Sequence, residues 1–378
     1  MSAAPSFADL TGRLRLRPGA PLPNIDSSRP ELAPRLARGR RADELPGLLA
    51  AVFTLCGHAH RLTAERAVRA AQGLADAAAP GAGRALQLAT AREQVLRLVN
   101  DWPLGGGDGG HDAAHGLLRS CPLWRADLPA SDQLAALPGW LQQHWLGMAP
   151  ADWLARDEAE PLDWPARWAQ QAAAASPVAR WLRQVQARAA ALRTPHRPLA
   201  LLGDAATPLP AWAQRLGHAP APDAWAPAGG VPDTGPWARH HAPSPRPADN
   251  AWVRLTSRVT DLLHLAAPDG GQWLAHGGLA LGGGQGLAWA ETARGLLLHW
   301  VRLQDSADGL RVADCRVVAP TDWNFHPRGV LADALSALPR QRDAAGLDAD
   351  ARLLALAFDP CVPFEVDVHH APREVAHA

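Results

Sequence analysis

The sequence predicts an α+β fold that is mostly helical, with small antiparallel sheets. Long Ala/Leu/Arg-rich segments with apolar residues about every 3.6 positions fill much of the chain and indicate amphipathic helices. Strand-like alternation of apolar and polar residues is found at 10–16 and 287–318. The 378 residues show no internal repeat and can bury a sizeable core, so a single domain is predicted over 1–378.

The predicted domain divides into four subregions by composition. They are an N-terminal strand with a first cysteine loop at 1–60, a helical body at 61–216, a Pro/Gly-rich connection at 217–248, and a C-terminal part with a helix, a small sheet and a second cysteine segment at 249–378. The apolar spacing predicts helices at 62–79, 83–100, 161–193 and about 249–265. Breaks are expected at Pro80-Gly81 and at Ser176-Pro177.

The charge balance and the length of the apolar segments exclude several classes of protein. Lys+Arg and Asp+Glu both number 37, so the chain lacks the basic excess that nucleic-acid binding needs. No apolar segment approaches the ~18 residues of a membrane span, and the N-terminus lacks the pattern of a signal peptide. The four cysteines show no disulfide-like framework, which suits a reducing compartment. We therefore expect a cytoplasmic protein without a membrane span.

Two cysteines near opposite ends of the chain each stand in the setting of half a metal site. Cys56 lies in a Leu-Cys-Gly-His-Ala segment, and Cys361 lies in an Asp-Pro-Cys-Val segment. A C-x-x-C pair would place two soft thiolate ligands on one metal, but Ala59 and Phe364 occupy the fourth positions here. Each cysteine is therefore a candidate single ligand. The alternative is a buried thiol that packs as a small apolar residue.

Five segments resemble, in the same order, the motifs of the large subunit of nickel-iron hydrogenases. That family has a C-G-x-C pair followed by a helix, then E-x-G-P-L-A-R, E-A-P-R-G-x-L-x-H-W, V-V-P-T-T-W-N-x-x-P-R and D-P-C-x-x-C-x-x-H. The similar segments here are 56–70, 233–239, 291–300, 317–328 and 359–361. The likeness runs nearly end to end. It implies the hydrogenase large-subunit fold, with a long central helix bundle.

The departures from these motifs indicate which relatives fit best. In the enzymes the second cysteine of each pair bridges nickel to iron, and the matching Ala59 and Phe364 cannot coordinate a metal. A chain with this scaffold and no bridging thiolates resembles the HupK/HoxV-type hydrogenase accessory proteins. That resemblance implies a non-catalytic scaffold or carrier, which holds or transfers an iron fragment with cyanide and carbonyl ligands, Fe(CN)2(CO). The implied partners are the hydrogenase large-subunit precursor and other hydrogenase maturation factors.

The resemblance also implies which residues hold the fragment. Cys56 and Cys361 match the terminal thiolate ligands, so they would bind iron transiently, and nickel is not expected. Arg294 matches an arginine beside the cyanide ligands, where a guanidinium donates hydrogen bonds and balances negative charge. The alternative for Arg294 is an ion pair that ties its loop to a carboxylate. Pro320 and Thr321 match a segment that lines the same cavity.

Two histidines beside the first cysteine are further candidates. His58 and His60 flank Ala59, and either imidazole is a candidate to replace the missing thiolate or to take a proton. The alternative is that they have ordinary surface or core roles.

Two other functions are compatible with the same likeness. One is a catalytic or hydrogen-sensing large subunit, which we disfavour because a nickel-iron pair needs bridging thiolates for hydrogen activation. The other is a cofactor-free structural or chaperone relative, similar to the subunit of complex I that keeps this fold without the metal cysteines. Replacing both cysteines by serine without loss of maturation activity would favour the second.

Overall fold

The computed structural model is described over most of the chain. The described residues are 11–53, 56–76, 80–102, 110–161, 163–199, 209–218, 226, 230–240, 249–339 and 342–369. Three predicted elements lie partly outside these residues. They are the connection at 217–248, for the most part, the helix at 62–79, for its last residues, and the strand at 10–16, for its first residue.

Helices make up most of the described chain. In chain order they are α1 (Leu32–Ala37), α2 (Leu45–Val52), α3 (Gly57–Ala71), α4 (Ala82–Asp101), α5 (Gly110–Ser120), α6 (Ala130–Leu141), α7 (Pro150–Ala159), α8 (Trp164–Ala172), α9 (Pro177–Ala191), α10 (Leu209–His218), α11 (Pro236–His240), α12 (Ala251–Leu265), α13 (Pro320–Asn324), α14 (Val330–Ser336) and α15 (Ala344–Phe358). Across the described parts of the chain, none of these helices combines the length and the apolar character needed to traverse a membrane.

Helix α12 lies at the centre of the helical body. It packs against α4, α9, α11 and α15, and every residue of α12 except His264 is buried. The side chain of Asn250 caps its N-terminus by accepting a hydrogen bond from the backbone N–H of Val253 at 3.0 Å. A helix buried on all sides has to pair any charged residue that it carries. Arg254, Arg258 and Asp261 do so, and they build the ion-pair network beneath the candidate site.

The larger sheet is antiparallel and has the strand order β3 (His276–Gly282), β4 (Gln285–Thr292), β5 (Gly295–Gln304) and β6 (Arg311–Val318). Strands β4 to β6 confirm the sheet expected over 287–318. Helix α3 packs against β3, β4 and β5. At Gly286 in β4, a Cβ atom would lie 2.3 Å from the carbonyl oxygen of Ala67 in α3. Only glycine allows the strand and the helix backbone to approach so closely.

The smaller sheet joins the two ends of the chain in the order β2 (Ile25–Ser27), β1 (Leu14–Leu16) and β7 (Phe364–Val366). Strands β1 and β2 are antiparallel, whereas β1 and β7 are parallel. The backbone N–H of Leu14 donates to the carbonyl of Pro363 at 3.0 Å, and that of Asp367 donates to the carbonyl of Leu16 at 2.8 Å. The parallel pair holds the C-terminal cysteine segment against the N-terminal strand.

Three predicted elements have different bounds in the structure. The strand expected at 10–16 is limited to β1, and the helix expected at 62–79 is α3, which begins directly after Cys56. Helix α3 ends at Ala71 because Gly73 adopts a left-handed backbone conformation, with φ 71°, as helix-terminating glycines commonly do. The stretch predicted at 161–193 is α8 and α9, which meet at the expected break. Ser176 caps α9 by accepting a hydrogen bond from Ala179 N–H at 3.1 Å.

Candidate functional site

Cys56 is the N-cap residue of α3 and is partly exposed. Its backbone N–H donates to the carbonyl of Phe53 at 3.2 Å. Gly57 follows as the first residue of the helix, where a Cβ atom would lie 2.7 Å from the carbonyl oxygen of Ala50 in α2. The close contact between α2 and the start of α3 therefore fixes the position of the Cys56 backbone.

Cys361 follows the C-terminus of α15 and is held by Thr321 of α13. The backbone N–H of Cys361 donates to the Thr321 hydroxyl at 3.2 Å, and that hydroxyl donates to the Cys361 Sγ at 3.0 Å. Thr321 is buried, and Pro320 beside it is the first residue of α13 and is also buried. The segment that the sequence placed beside the metal site thus contacts one of the two cysteines directly.

The structure brings the two cysteines within electrostatic range of each other. Burial raises the pKa of Cys56 to about 11, Arg294 opposes this shift, Cys361 adds to it, and Arg29 also opposes it. A thiol with such a pKa is protonated and unreactive at neutral pH. A soft metal bound to this thiol would displace its proton, because thiolates rather than thiols are metal ligands.

Arg294 lies in the turn between β4 and β5, where its backbone N–H donates to the Thr292 hydroxyl at 3.3 Å. Its Nη1 forms an ion pair with Glu93 of α4, and its Nε lies 3.6 Å from Asp359 Oδ2. Nη2 is buried and has no hydrogen-bond partner among the described residues. The guanidinium is therefore tied to carboxylates, as the alternative hypothesis had it. Neither Nη2 nor Nε donates a hydrogen bond to a described residue.

Three arginines converge on the carboxylate of Asp359, which stands two residues before Cys361. Arg97 donates to Oδ1 at 3.0 and 3.1 Å, Arg258 Nη2 lies 3.0 Å from Oδ2, and Arg294 is the third. Burial alone would raise the pKa of Asp359, but Arg258, Arg294 and Arg97 lower it to about 2. Arg97 also donates to the carbonyl of Pro360 at 2.8 Å. This Asp359 cluster fixes the backbone that presents Cys361.

Three of the segments that resemble family motifs contact one another beneath the site. Asn324 of α13 donates to the carbonyl of Thr234 at 2.9 Å and accepts from the Thr234 backbone N–H at the same distance. The Thr234 hydroxyl accepts from the backbone N–H of Leu296 at 2.9 Å, and the Trp323 indole donates to the Leu296 carbonyl at 3.1 Å. Segments that are far apart in the sequence, at 233–239, 291–300 and 317–328, therefore assemble around one location.

The two candidate histidines have different environments. His58 is an exposed residue whose imidazole is partly shielded from water. This partial burial lowers its pKa, Glu65 raises the pKa, and the nearby Arg61 and Arg92 lower it further. His60 is fully buried, stacks on Phe53 with ring centroids 4.0 Å apart, and places Nδ1 3.0 Å from His299 Nε2.

Both members of this buried pair are held neutral. Burial lowers the pKa of His60 well below its ordinary value, with further lowering from His299 and Arg29, and burial lowers the pKa of His299 to about 3. The structure thus gives His60 a partner in the core. Sequence analysis missed His299, although it occupies the histidine of the 291–300 motif.

Arg29 is a second site residue that sequence analysis missed. It follows β2, and its Nη1 forms an ion pair with Asp322 of α13. Burial disfavours its charge, but Asp322, Cys361 and Cys56 raise the pKa of Arg29 above its ordinary value. No spacing pattern in the sequence marks this residue, because it reaches the cysteines only through the fold.

The donor set is small and soft. Over the described parts of the chain, no group of three or more His, Cys, Asp or Glu side chains is arranged to hold a metal ion. Two thiols beside two guanidinium groups instead suit a metal fragment that brings its own ligands, especially anionic ones.

Comparison with curated proteins and solved structures identifies relatives of the whole chain. The chain is 38% identical over 388 residues to the hydrogenase expression/formation protein HoxV of Cupriavidus necator, and the match covers 98% of each chain. It is 35% identical to the hydrogenase expression/formation protein HupK of Azotobacter vinelandii, over 93% of each chain, and 31% identical to HupK of Rhizobium leguminosarum, over 92% of each. No family model matches the chain.

The solved structures show the fold. An NAD+-reducing [NiFe]-hydrogenase in the H2-reduced state superposes with a TM-score of 0.55 at 15% identity, covering 89% of this chain and 91% of that one. The Ni-Fe-Se hydrogenase of D. vulgaris Hildenborough gives a TM-score of 0.51 at 14% identity, with 89% and 92% covered. The predicted fold class is therefore confirmed as that of the nickel-iron hydrogenase large subunit. With the near full-length similarity to its curated relatives, the chain belongs to the HoxV/HupK family of hydrogenase expression/formation proteins.

Proposed function

We propose that this protein is a non-catalytic carrier in nickel-iron hydrogenase maturation. It would hold an iron fragment with cyanide and carbonyl ligands through Cys56 and Cys361 and pass it to the precursor of the hydrogenase large subunit, together with other maturation factors. The observation that supports this most is the pair of neighbouring thiols beside the unpartnered, buried Nη2 of Arg294. The names of the relatives, hydrogenase expression/formation proteins, support the maturation role.

The residues present fit such a fragment as cargo. Thiolates are soft ligands and suit low-spin iron that carries strong-field diatomic ligands. A cyanide ligand is an anionic acceptor, and the free Nη2 of Arg294 is a donor that lacks an acceptor within the described residues. Without cargo, the buried N–H is left unsatisfied, which costs free energy. Binding would satisfy it.

The missing ligands favour transfer over catalysis. Ala59 is buried in α3 and Phe364 belongs to β7, and neither side chain offers a donor atom for a second metal. Two protein ligands leave the iron fragment exchangeable, as a carrier requires. We propose for the same reason that nickel does not bind here. Hydrogen uptake by the purified protein would contradict this and favour a catalytic or sensory large subunit.

Infrared spectroscopy tests the proposal directly. Protein purified without oxygen from cells that express the other maturation factors is expected to show cyanide and carbonyl stretching bands. Cys56→Ser and Cys361→Ser are each expected to lose those bands, because one thiolate alone holds the fragment too weakly. The control is Cys121→Ala, since Cys121 is a fully buried thiol that makes no contact with either cysteine among the contacts the structure describes.

Two outcomes would contradict the carrier proposal. One is a blank spectrum from wild-type protein that is folded and co-purifies with its partners, which would favour a cofactor-free structural or chaperone role. The other is a spectrum that both serine variants retain unchanged, which would place the iron fragment elsewhere on the protein.

A further inference from the structure

Arg29 reaches the two cysteines from a part of the chain far from Arg294. It follows the edge strand β2, whereas Arg294 lies in the turn between β4 and β5. The charges of Arg29 and Arg294 both act to lower the pKa of Cys56. Arg29 also interacts electrostatically with Cys361, which raises the pKa of Arg29. The site therefore has two guanidinium groups for two thiols.

A cavity of about 260 Å³ opens beside Arg29. Its lining includes one residue that contacts Cys56 and another that contacts Cys361. Thr321 in its wall donates to the Cys361 Sγ at 3.0 Å, and Phe53 in its wall accepts from the Cys56 backbone N–H at 3.2 Å. A water-sized group occupies about 30 Å³, so one iron with three diatomic ligands, which together have seven heavy atoms, needs roughly 210 Å³ at most. The cavity is large enough to admit such a fragment.

The donor groups of Arg29 are only partly used. Nη1 pairs with Asp322, whose other oxygen accepts from the backbone N–H of Ala319 at 2.7 Å and is thereby fixed at the start of α13. For Nε and Nη2 of Arg29 the described residues provide no hydrogen-bond partner. The Arg29 side chain is 18% exposed, so these donors are available at the cavity wall.

We propose that Arg29 is a second anion-binding residue of this site and that the cavity it lines is the entrance for the anionic iron fragment. The inference rests on the proposed carrier function and adds to it a separate donor for each of two anionic ligands. Arg294 Nη2 would serve one ligand, and the free donors of Arg29 would serve the other. The Arg29–Asp322 pair holds the guanidinium at the entrance in the absence of cargo.

Alkylation of the metal-free protein tests Arg29 without any iron. The rate constant for alkylation of Cys361 is measured once with iodoacetate, an anion, and once with iodoacetamide, its neutral analogue. Mass spectrometry distinguishes alkylation at Cys361 from alkylation at the other cysteines. A positive charge beside the thiol favours the anionic reagent, so Arg29→Gln is expected to lower the iodoacetate/iodoacetamide rate ratio about three- to tenfold. Arg29→Lys keeps the charge and is expected to keep most of the ratio.

The matched control is Arg17→Gln. Arg17 pairs with Asp26 on the same edge of the molecule, and its side chain is 14% exposed, close to the value for Arg29. It does not line the cavity. Its ratio is expected to equal that of the wild type. An unchanged ratio in folded Arg29→Gln would overturn the inference.

A measurement on the wild type covers the case in which Arg29→Gln does not fold. The ratio at Cys361 is expected to be higher in the folded protein than in the same protein unfolded in urea. Equal ratios would overturn the inference without any variant.

The infrared experiment separates this inference from the carrier function. If the wild type shows two cyanide bands, Arg29→Lys is expected to shift one of them and leave the other in place. Unshifted bands together with an unchanged alkylation ratio would remove the role of Arg29 and leave the carrier function standing. A blank wild-type spectrum would remove the carrier function, while the alkylation ratio would still decide whether Arg29 attracts anions.

Discussion

Replacing Asp359 by alanine is expected to lower the free energy of unfolding by about 3–5 kcal/mol, which is the usual cost of leaving buried charges without their partner. Arg97 donates hydrogen bonds to this carboxylate, Arg258 and Arg294 form ion pairs with it, and the Asp359 side chain is only 4% exposed. Urea denaturation measures the loss. Asp348→Ala in α15, the helix that Asp359 follows, is the control, because Asp348 pairs with Arg352 at the surface and exposed pairs contribute less than about 1 kcal/mol.

The same carboxylate predicts an acid-sensitive component of stability. Its pKa is about 2 in the folded protein and 3.8 ordinarily, so ionised Asp359 stabilises the fold above pH 4. This contribution, roughly 2 kcal/mol, is lost as the pH falls from about 4 through about 2. Asp101 beside the cluster titrates in another range, since burial raises its pKa to about 6.

Asp359→Asn provides the test of that acid component. The variant is expected to lose the slope of unfolding free energy between pH 4 and pH 2. The slope near pH 6 is expected to move to lower pH, because the Asp359 charge helps to raise the pKa of Asp101. If the variant and the wild type have the same slope below pH 4, the three arginines do not act on Asp359 as the structure indicates.

Gly286→Ala is expected to destabilise the protein by about 3 kcal/mol or more, at or beyond the upper end of what overpacking of a core usually costs. The added Cβ would lie 2.3 Å from the carbonyl oxygen of Ala67 and 2.4 Å from the backbone nitrogen of Ala71. These atoms belong to the backbone of α3, so they cannot be relieved by a side-chain rotation. Thermal unfolding followed by circular dichroism measures the effect.

The displacement of α3 should also be visible at Cys56. Because Cys56 caps this helix, its alkylation rate is expected to rise several-fold in Gly286→Ala, while that of buried Cys315 changes less. Gly139→Ala is the control, since no atom lies within 4 Å of a Cβ built at Gly139 in α6. That substitution should be neutral or stabilising by up to about 1 kcal/mol. Equal stability of the two variants would contradict the close packing of β4 on α3.

Regular patterns made part of the fold predictable. Helices α4 and α12 lie within two residues of their predicted bounds, because apolar side chains recur there with the helical period and capping or breaking residues mark the ends. Strand β3 was missed because its three glycines and its one alanine carry little strand propensity. Its pairing with β4, a tertiary effect, makes it a strand.

Residues of the candidate site were predictable from the sequence only where they stand in a segment that resembles a family motif. Cys56, Cys361, Arg294 and Thr321 stand in segments that resemble family motifs, and the structure brings these four residues together. Arg29 has no motif, and only the cavity and its ion pair with Asp322 reveal it. A local pattern cannot report a contact that joins residues almost 300 positions apart.

The pairing of β1 with β7 has a consequence for the order of events during synthesis. Leu14 and Leu16 meet Phe364 and Val366, so the smaller sheet stays incomplete until the ribosome has synthesised Val366, about 350 residues after Leu16. Cys361, just before β7, arrives at the same stage, and contacts of such long sequence separation form late because closing a long loop has an entropic cost. A nascent chain that ends before Cys361 therefore has Cys56 without its counterpart, and under the proposed carrier function it would lack one of the two thiols that hold the metal fragment.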